Sequence, residues 1–182
     1  HEDLGMLKEK ACQVAKDYDL EMSERAATSE HDYAHLIDYQ GISIGISGAQ
    51  RLRLGETMFK PALMGIESPG LHQLVAESIS RCAIDLRPDL RSVYVMGGVS
   101  MAPGFAERLQ HELSGLSPST QKIRVIAPPE RKYSTWIGGS IMASLPCQTW
   151  MTKQDYDERG PQAVHQYGVT DSTYDVSSRP YW

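Results

Sequence analysis

Apolar positions recur at helical spacing over the first part of the chain: Leu7, Ala11, Val14, Ala15 and Leu20, with Lys8, Glu9, Lys10 and Lys16 interleaved. The spacing predicts one helix from Leu4 to about Ala27, capped by Asp3. The polar stretch Ser29 to Asp32 reads as a loop. Leu36-Ile37-Asp38 and Ile42 to Ile46 then flank Gln40-Gly41, the pattern of two short strands joined by a tight turn. Phe59 to Gly70 is apolar but punctuated by proline and glycine, so it predicts a packed loop. Leu71, Leu74, Val75, Ile79 and Cys82 mark an amphipathic helix, and Asp85 to Arg91 a short helical turn. A strand follows from Ser92 to Met96. Pro103 fits the first position of the next helix, whose apolar stripe is Phe105, Leu109, Leu113 and Leu116. Ile123 to Ile126 reads as a strand, Ser134 to Ser144 and Lys153 to Glu158 as helices. In the first of these two helices, Gly138-Gly139 permits close packing. Strand and helix alternate from Ser92 to Ser144, which predicts an α/β unit, whereas Gly168 to Trp182 is polar and aperiodic, as in a tail.

Composition narrows the function classes. The 182 residues suffice for one ordinary domain or two small lobes, and 41% hydrophobic with 23% charged residues suits a globular core. A net charge of −5 argues against a broad nucleic-acid-binding face, and no apolar run approaches the roughly 20 residues that span a bilayer. His1-Glu2-Asp3 carries no secretory signal pattern and no starting methionine, which fits a processed or incomplete chain. Cys12, Cys82 and Cys147 stand in unlike contexts, matching neither a disulfide framework nor a zinc site, as expected of reduced thiols.

Gly97-Gly98 sits where a strand ends and a helix is about to begin. Glycine there lets backbone amides approach a ligand, and the following helix start favours negative charge, so a phosphate contact is one reading. A tight turn without a ligand is the other. Neither Gly-x-x-x-x-Gly-Lys-[Ser/Thr] nor Gly-x-Gly-x-x-Gly is present, so spacing alone leaves both open.

Longer motifs carry more. The run Ala127-Pro128-Pro129-Glu130-Arg131-Lys132-Tyr133-Ser134-Thr135-Trp136-Ile137-Gly138-Gly139-Ser140 closely resembles the actin family. So do Lys153 to Glu158 with Gly160-Pro161 and His165, and Ser117-Pro118-Ser119-Thr120. Lys8-Glu9-Lys10, the Phe59 to His72 loop and the Gly97-Gly98 turn match in order and spacing, from Leu4 to about Gln166. The resemblance implies an α/β, ribonuclease-H-like fold, the superfold that actins share with heat-shock ATPase chaperones and sugar kinases. Only the C-terminal half of an actin-type subunit is matched. By that resemblance, residues 1–66 would form part of the outer small lobe, 67–133 the inner α/β lobe, 134–167 the terminal helices of the first large lobe, and 168–182 a divergent tail.

The resemblance also implies a site. Lys8 and Glu9 would border the adenine and ribose, Gly97, Gly98 and Val99 would form the turn beneath the nucleotide, and Lys132 would close over the base. The cofactor would be ATP or ADP with magnesium, bound only by a complete subunit, because the phosphate loops and water-positioning residues lie in the other half; the chain alone is expected to be inactive. Ile137, Ile141, Met142 and Leu145 match the apolar lining of the family's partner groove, although such a stripe also suits a core-facing helix. Three departures stand out. Val99-Ser100 replaces two threonines, Ala102 replaces a tyrosine that lies against the adenine, and Leu145 to Trp150 is shorter by two residues. The implied role is a cytoskeletal, filament-forming subunit whose partners are other actin-type subunits, actin-binding proteins and the missing half. Cytoplasmic localisation follows, with a nuclear one as the variant, and neither membrane nor direct nucleic acid as partner. The rival reading is a nucleotide-independent scaffold in an axonemal or chromatin-remodelling assembly; a sugar kinase of the same superfold is disfavoured by the Pro128 to Gly139 run.

Overall fold

The computed structural model describes residues 2–27, 35–39, 41–118, 122–146 and 150–163. The chain divides into two compact units, His1–Ile137 and Gly138–Trp182. The predicted loop at Ser29 to Asp32, the motif residues Ser119, Thr120 and His165, Cys147 and the tail lie outside the described residues.

The first unit opens with two helices, α1 (Glu2–Ala11) and α2 (Tyr18–Ala27), where the pattern predicts one. The periodicity holds across the break because Val14 and Ala15 are buried, but their backbone serves other elements. The Val14 N–H donates to Pro103 O at 2.9 Å and the Gln13 N–H to Arg51 O at 3.3 Å. Asp17 accepts from the Leu20 N–H and so starts α2. Asp3 lies inside α1 rather than ahead of it, so it is not the cap. The hairpin follows as expected: β1 (His35–Tyr39) pairs antiparallel with β2 (Ile42–Ile46).

A third helix, α3 (Gly48–Glu56), carries a capping box in which Ser47 and Gln50 exchange hydrogen bonds. Sequence reading left it unassigned, although Ser-x-x-Gln at its start is the signal that finds it. Phe59 to Gly70 is anchored at both ends, where Phe59 and Gly70 are buried, and contains one 3-10 turn, Pro61–Met64. Its middle is exposed rather than packed, with Met64 at 67% exposure.

α4 (Leu71–Arg81) leads through turns into β3 (Ser92–Tyr94). A 3-10 turn (Gly98–Met101) precedes α5 (Phe105–Leu116), and β4 (Arg124–Ile126) returns parallel to β3. This strand–helix–strand unit is the predicted α/β element. The helix begins two residues after Pro103, because Gly104 adopts a left-handed conformation, φ 83°, that ends the preceding turn. A Cβ on Gly104 would collide with the Val14 carbonyl, so only glycine admits the segment between α1 and α2 so close. Phe105, Leu109 and Leu113 join Val14, Phe59, Val95 and Ile123 in the core, while Leu116 falls on the open side of α5.

α6 (Ser134–Ser144) runs across the division between the units, and α7 (Lys153–Arg159), capped by Thr152, belongs to the second. A Cβ on Gly138 or Gly139 would meet nothing within 4 Å, so these glycines make no close approach among the described residues.

Beneath the core lies an ion pair. Glu56 is fully buried and Arg108 4% exposed; Arg108 donates from Nη1 to Glu56 Oε2 at 2.9 Å and from Nη2 to Oε1 at 3.1 Å. Arg108 also donates to the Ala15 carbonyl and to Glu112, and its guanidinium lies 4.9 Å from the Phe59 ring centroid. Burial works against the charged guanidinium, but the bonds from Glu56 and Glu112 outweigh it and hold its pKa above the ordinary value. Breaking the pair at Arg108 leaves the buried Glu56 carboxylate with only the part-exposed Lys60 ammonium, 3.7 Å away, as counter-charge. Arg108→Met is expected to lower stability by about 3–5 kcal/mol in chemical denaturation, more than Arg108→Met combined with Glu56→Leu, which leaves no stranded charge.

Candidate functional site

Of the residues singled out in the first unit, Glu9, Lys132 and the Gly97-Gly98 turn meet at one rim. Glu9 lies near the end of α1, where helical spacing turns it away from the buried Ala11. Lys132 lies in the loop between β4 and α6, and its Nζ stands 3.4 Å from Glu9 Oε1 and 3.5 Å from Oε2 across 123 residues of sequence. Both side chains are substantially exposed, so the pair adds little stability and opens readily to a ligand. Lys8 is exposed beside Glu9 on the same helix.

The glycine turn lies beneath this pair. A Cβ at Gly98 would sit 3.7 Å from Glu9 Oε1, which places the turn against the carboxylate. Gly97 has φ 97° and Gly98 begins the 3-10 turn with an ordinary backbone angle. Glycine is therefore required conformationally at Gly97, whereas Gly98 is a matter of space. Val99 points outward, 68% exposed, while Ser100 is buried and donates from Oγ to Gly97 O at 2.7 Å. Ala102 packs against the core cluster and presents no ring to the rim.

Arg131, which sequence reading gave no role, holds this arrangement. The Gly97 N–H donates to Arg131 O at 2.8 Å, and Arg131 Nε donates to Ser100 O at 3.1 Å. Its Nη1 donates to Pro128 O at 3.1 Å. Only its place beside Lys132 and after Pro128-Pro129 hinted at this.

The rim thus offers an ammonium as donor and a carboxylate as acceptor beside the glycine turn, whose Gly97 N–H is already given to Arg131 O. Among the described residues, no group of three or more His, Cys, Asp or Glu side chains could hold a metal ion. An open apolar groove of about 670 Å³ adjoins the turn at Val99 and is lined by Leu71, Val75, Tyr94, Met96 and Phe105 among others. It contains no acid, amine or imidazole, so the polar chemistry stays at the rim.

The stripe on α6 is distinct. Ile141, Met142 and Leu145 are exposed and Ile137 is half-buried; Trp136, on another face, is 77% exposed. Cys12 and Cys82 are free thiols, and burial pushes the Cys12 thiol above its ordinary pKa despite the nearby Arg51. No described helix is long and apolar enough to cross a membrane.

Comparison with known proteins places the strand–helix–strand unit in a family. A sequence model of the actin family, described as Actin, matches residues 3–169. An "Actin-like protein" of Neurospora crassa is 41% identical over 170 residues, covering 90% of this chain and 44% of its own length. The chain belongs to the actin family, and its elements are part of the actin fold. It spans less than half the length of that relative.

The two glycines are expected to differ. Gly97→Ala forces a side chain into a left-handed angle and lowers stability by about 1 kcal/mol or more. Gly98→Ala, with only Glu9 Oε1 at van der Waals distance, should stay within about 0.5 kcal/mol of the parent in the same denaturation series.

Proposed function

We propose that this chain is the C-terminal half of a divergent actin-type subunit whose complete form binds ATP or ADP, with magnesium, and serves in cytoskeletal or filament assembly in the cytoplasm. The observation that carries the nucleotide reading is the meeting of Glu9, Lys132 and the Gly97-Gly98 turn, drawn from three distant parts of the sequence. In the complete subunit, Glu9 and Lys8 border the sugar and base, Lys132 covers the base, and the turn amides lie beneath the phosphates. The nucleotide contributes the phosphate charge that these amides meet. Residues 1–66 belong to the outer small lobe, 67–133 to the inner lobe, and 134–167 to the terminal helices of the first large lobe. The exposed stripe of Ile141, Met142 and Leu145 with Ile137 lines a groove for actin-binding partners, and Leu63, Met64 and Ile66 of the exposed loop face a neighbouring subunit.

A second reading is favoured by Ala102. Where an aromatic ring would stack on the base there is a half-buried methyl group packed against the core, and such a ring contributes about 0.5–1.5 kcal/mol beyond its area. On this reading the subunit is a nucleotide-independent scaffold of a larger assembly, such as an axonemal or chromatin-remodelling one.

Nucleotide titration of the complete subunit separates the two. On the first reading it binds ATP, Gly98→Ala weakens binding more than it lowers stability, and Ala102→Tyr tightens it. Absence of binding in the parent and in Ala102→Tyr supports the scaffold. The isolated chain is expected to release no phosphate from ATP above a protein-free control, since it supplies one side of the site only. Release that Lys132→Ala abolishes would contradict this.

A further inference from the structure

We infer that Arg131 is a positioning residue that fixes the glycine turn and the Lys132 loop to one another, so that the two halves of the rim meet a ligand as one preformed unit. The inference rests on the nucleotide reading for its functional consequence, but the clasp itself stands on geometry.

Arg131 touches the turn at both ends. Its backbone carbonyl accepts from the Gly97 N–H at 2.8 Å, where the chain leaves β3. Its Nε donates to the Ser100 carbonyl at 3.1 Å, three residues further on. Ser100 closes the ring by donating from Oγ to Gly97 O at 2.7 Å. The remaining donor used, Nη1, returns to Pro128 O at 3.1 Å within Arg131's own loop. The planar guanidinium therefore joins two carbonyls on separate segments, which a lysine ammonium on a flexible stem reproduces poorly. Charge assistance strengthens the two bonds that the guanidinium donates, to Ser100 O and Pro128 O, relative to neutral ones.

The consequence concerns the next residue. Lys132 follows Arg131 directly, and its Nζ lies above the turn beside Glu9. Its own ion pair is exposed and weak, so it cannot set the position of the loop. With Arg131 in place, the backbone at position 132 and the amides at 97–99 keep a fixed separation, and the cost of ordering the rim is met before a ligand arrives. Without it, Lys132 is retained in sequence but no longer held over the turn.

The test is a double-mutant cycle in the complete subunit, read with a fluorescent ATP analogue and corrected for the folded fraction by chemical denaturation. Arg131→Gln is expected to weaken binding roughly tenfold, the scale of one lost charge-assisted hydrogen bond. Arg131→Lys should recover little of the loss. Lys132→Ala should weaken binding in the parent but add almost nothing in the Arg131→Gln background, because a misplaced ammonium has little left to lose. Additive losses, or affinity that follows stability alone, would overturn the positioning role. Amide hydrogen exchange over Met96–Met101 reads the clasp without any nucleotide. Faster exchange in Arg131→Gln, while α5 is unchanged, supports it even if the parent binds no ATP, an outcome that defeats the nucleotide reading alone. Unchanged exchange over Met96–Met101 defeats the clasp.

Discussion

The segment between α1 and α2 governs the rest of the structure. From Gln13 onward the backbone leaves helical hydrogen bonding, and Gln13 to Ala15 thread between α3 and the start of α5. Val14 donates to Pro103, the Ala11 carbonyl accepts from Arg51 and the Ala15 carbonyl accepts from Arg108. Backbone groups outside a helix must find partners, and here the partners lie on α3, on α5 and in the turn that precedes α5. The segment therefore sets where α1 ends, and with it Glu9, and it abuts Gly104, the last residue of the stretch that begins at Gly97. Both sides of the rim refer back to one buried crossing.

The Arg108–Glu56 pair follows from the same constraint. The Ala15 carbonyl reaches the interior, and a guanidinium that already binds Glu56 and Glu112 has a donor to spare for it. Removing two charges from water is costly, so the pair is poor evidence of net stability. What it does is connect α3, through Glu56, and α5, through Arg108, to the Ala15 carbonyl of the crossing.

Much of this was legible in sequence. The strand–helix–strand unit has a period that burial reproduces, as at Phe105, Leu109 and Leu113; the hairpin and the last two helices form where the pattern puts them, but neither of those helices buries a residue. The break in the first helix was hidden because Val14 and Ala15 are apolar and in phase, and periodicity records burial, not hydrogen bonding. α3 escaped because its face includes two buried glycines and a buried glutamate, Gly48, Gly55 and Glu56, which read as polar or as turn residues. At the rim, the motif match pointed to Glu9, Gly97, Gly98 and Lys132, but no sequence pattern could report that Glu9 and Lys132 meet, or that the side chain of Arg131 turns back to the Ser100 carbonyl. Such contacts depend on loop conformation, which local propensity does not encode.

The chain belongs to the actin family and spans less than half the length of its Neurospora crassa relative, and we propose that the rim described here is one side of a nucleotide site. The account stands or falls on whether an adenine nucleotide occupies that side. Photoaffinity labelling of the complete subunit with an azido-adenine nucleotide, followed by peptide mapping, tests this directly. The account predicts label in the peptides that carry Lys8-Glu9 or Arg131-Lys132, lost when excess ATP competes. Label confined to other peptides, or indifferent to ATP, would contradict it.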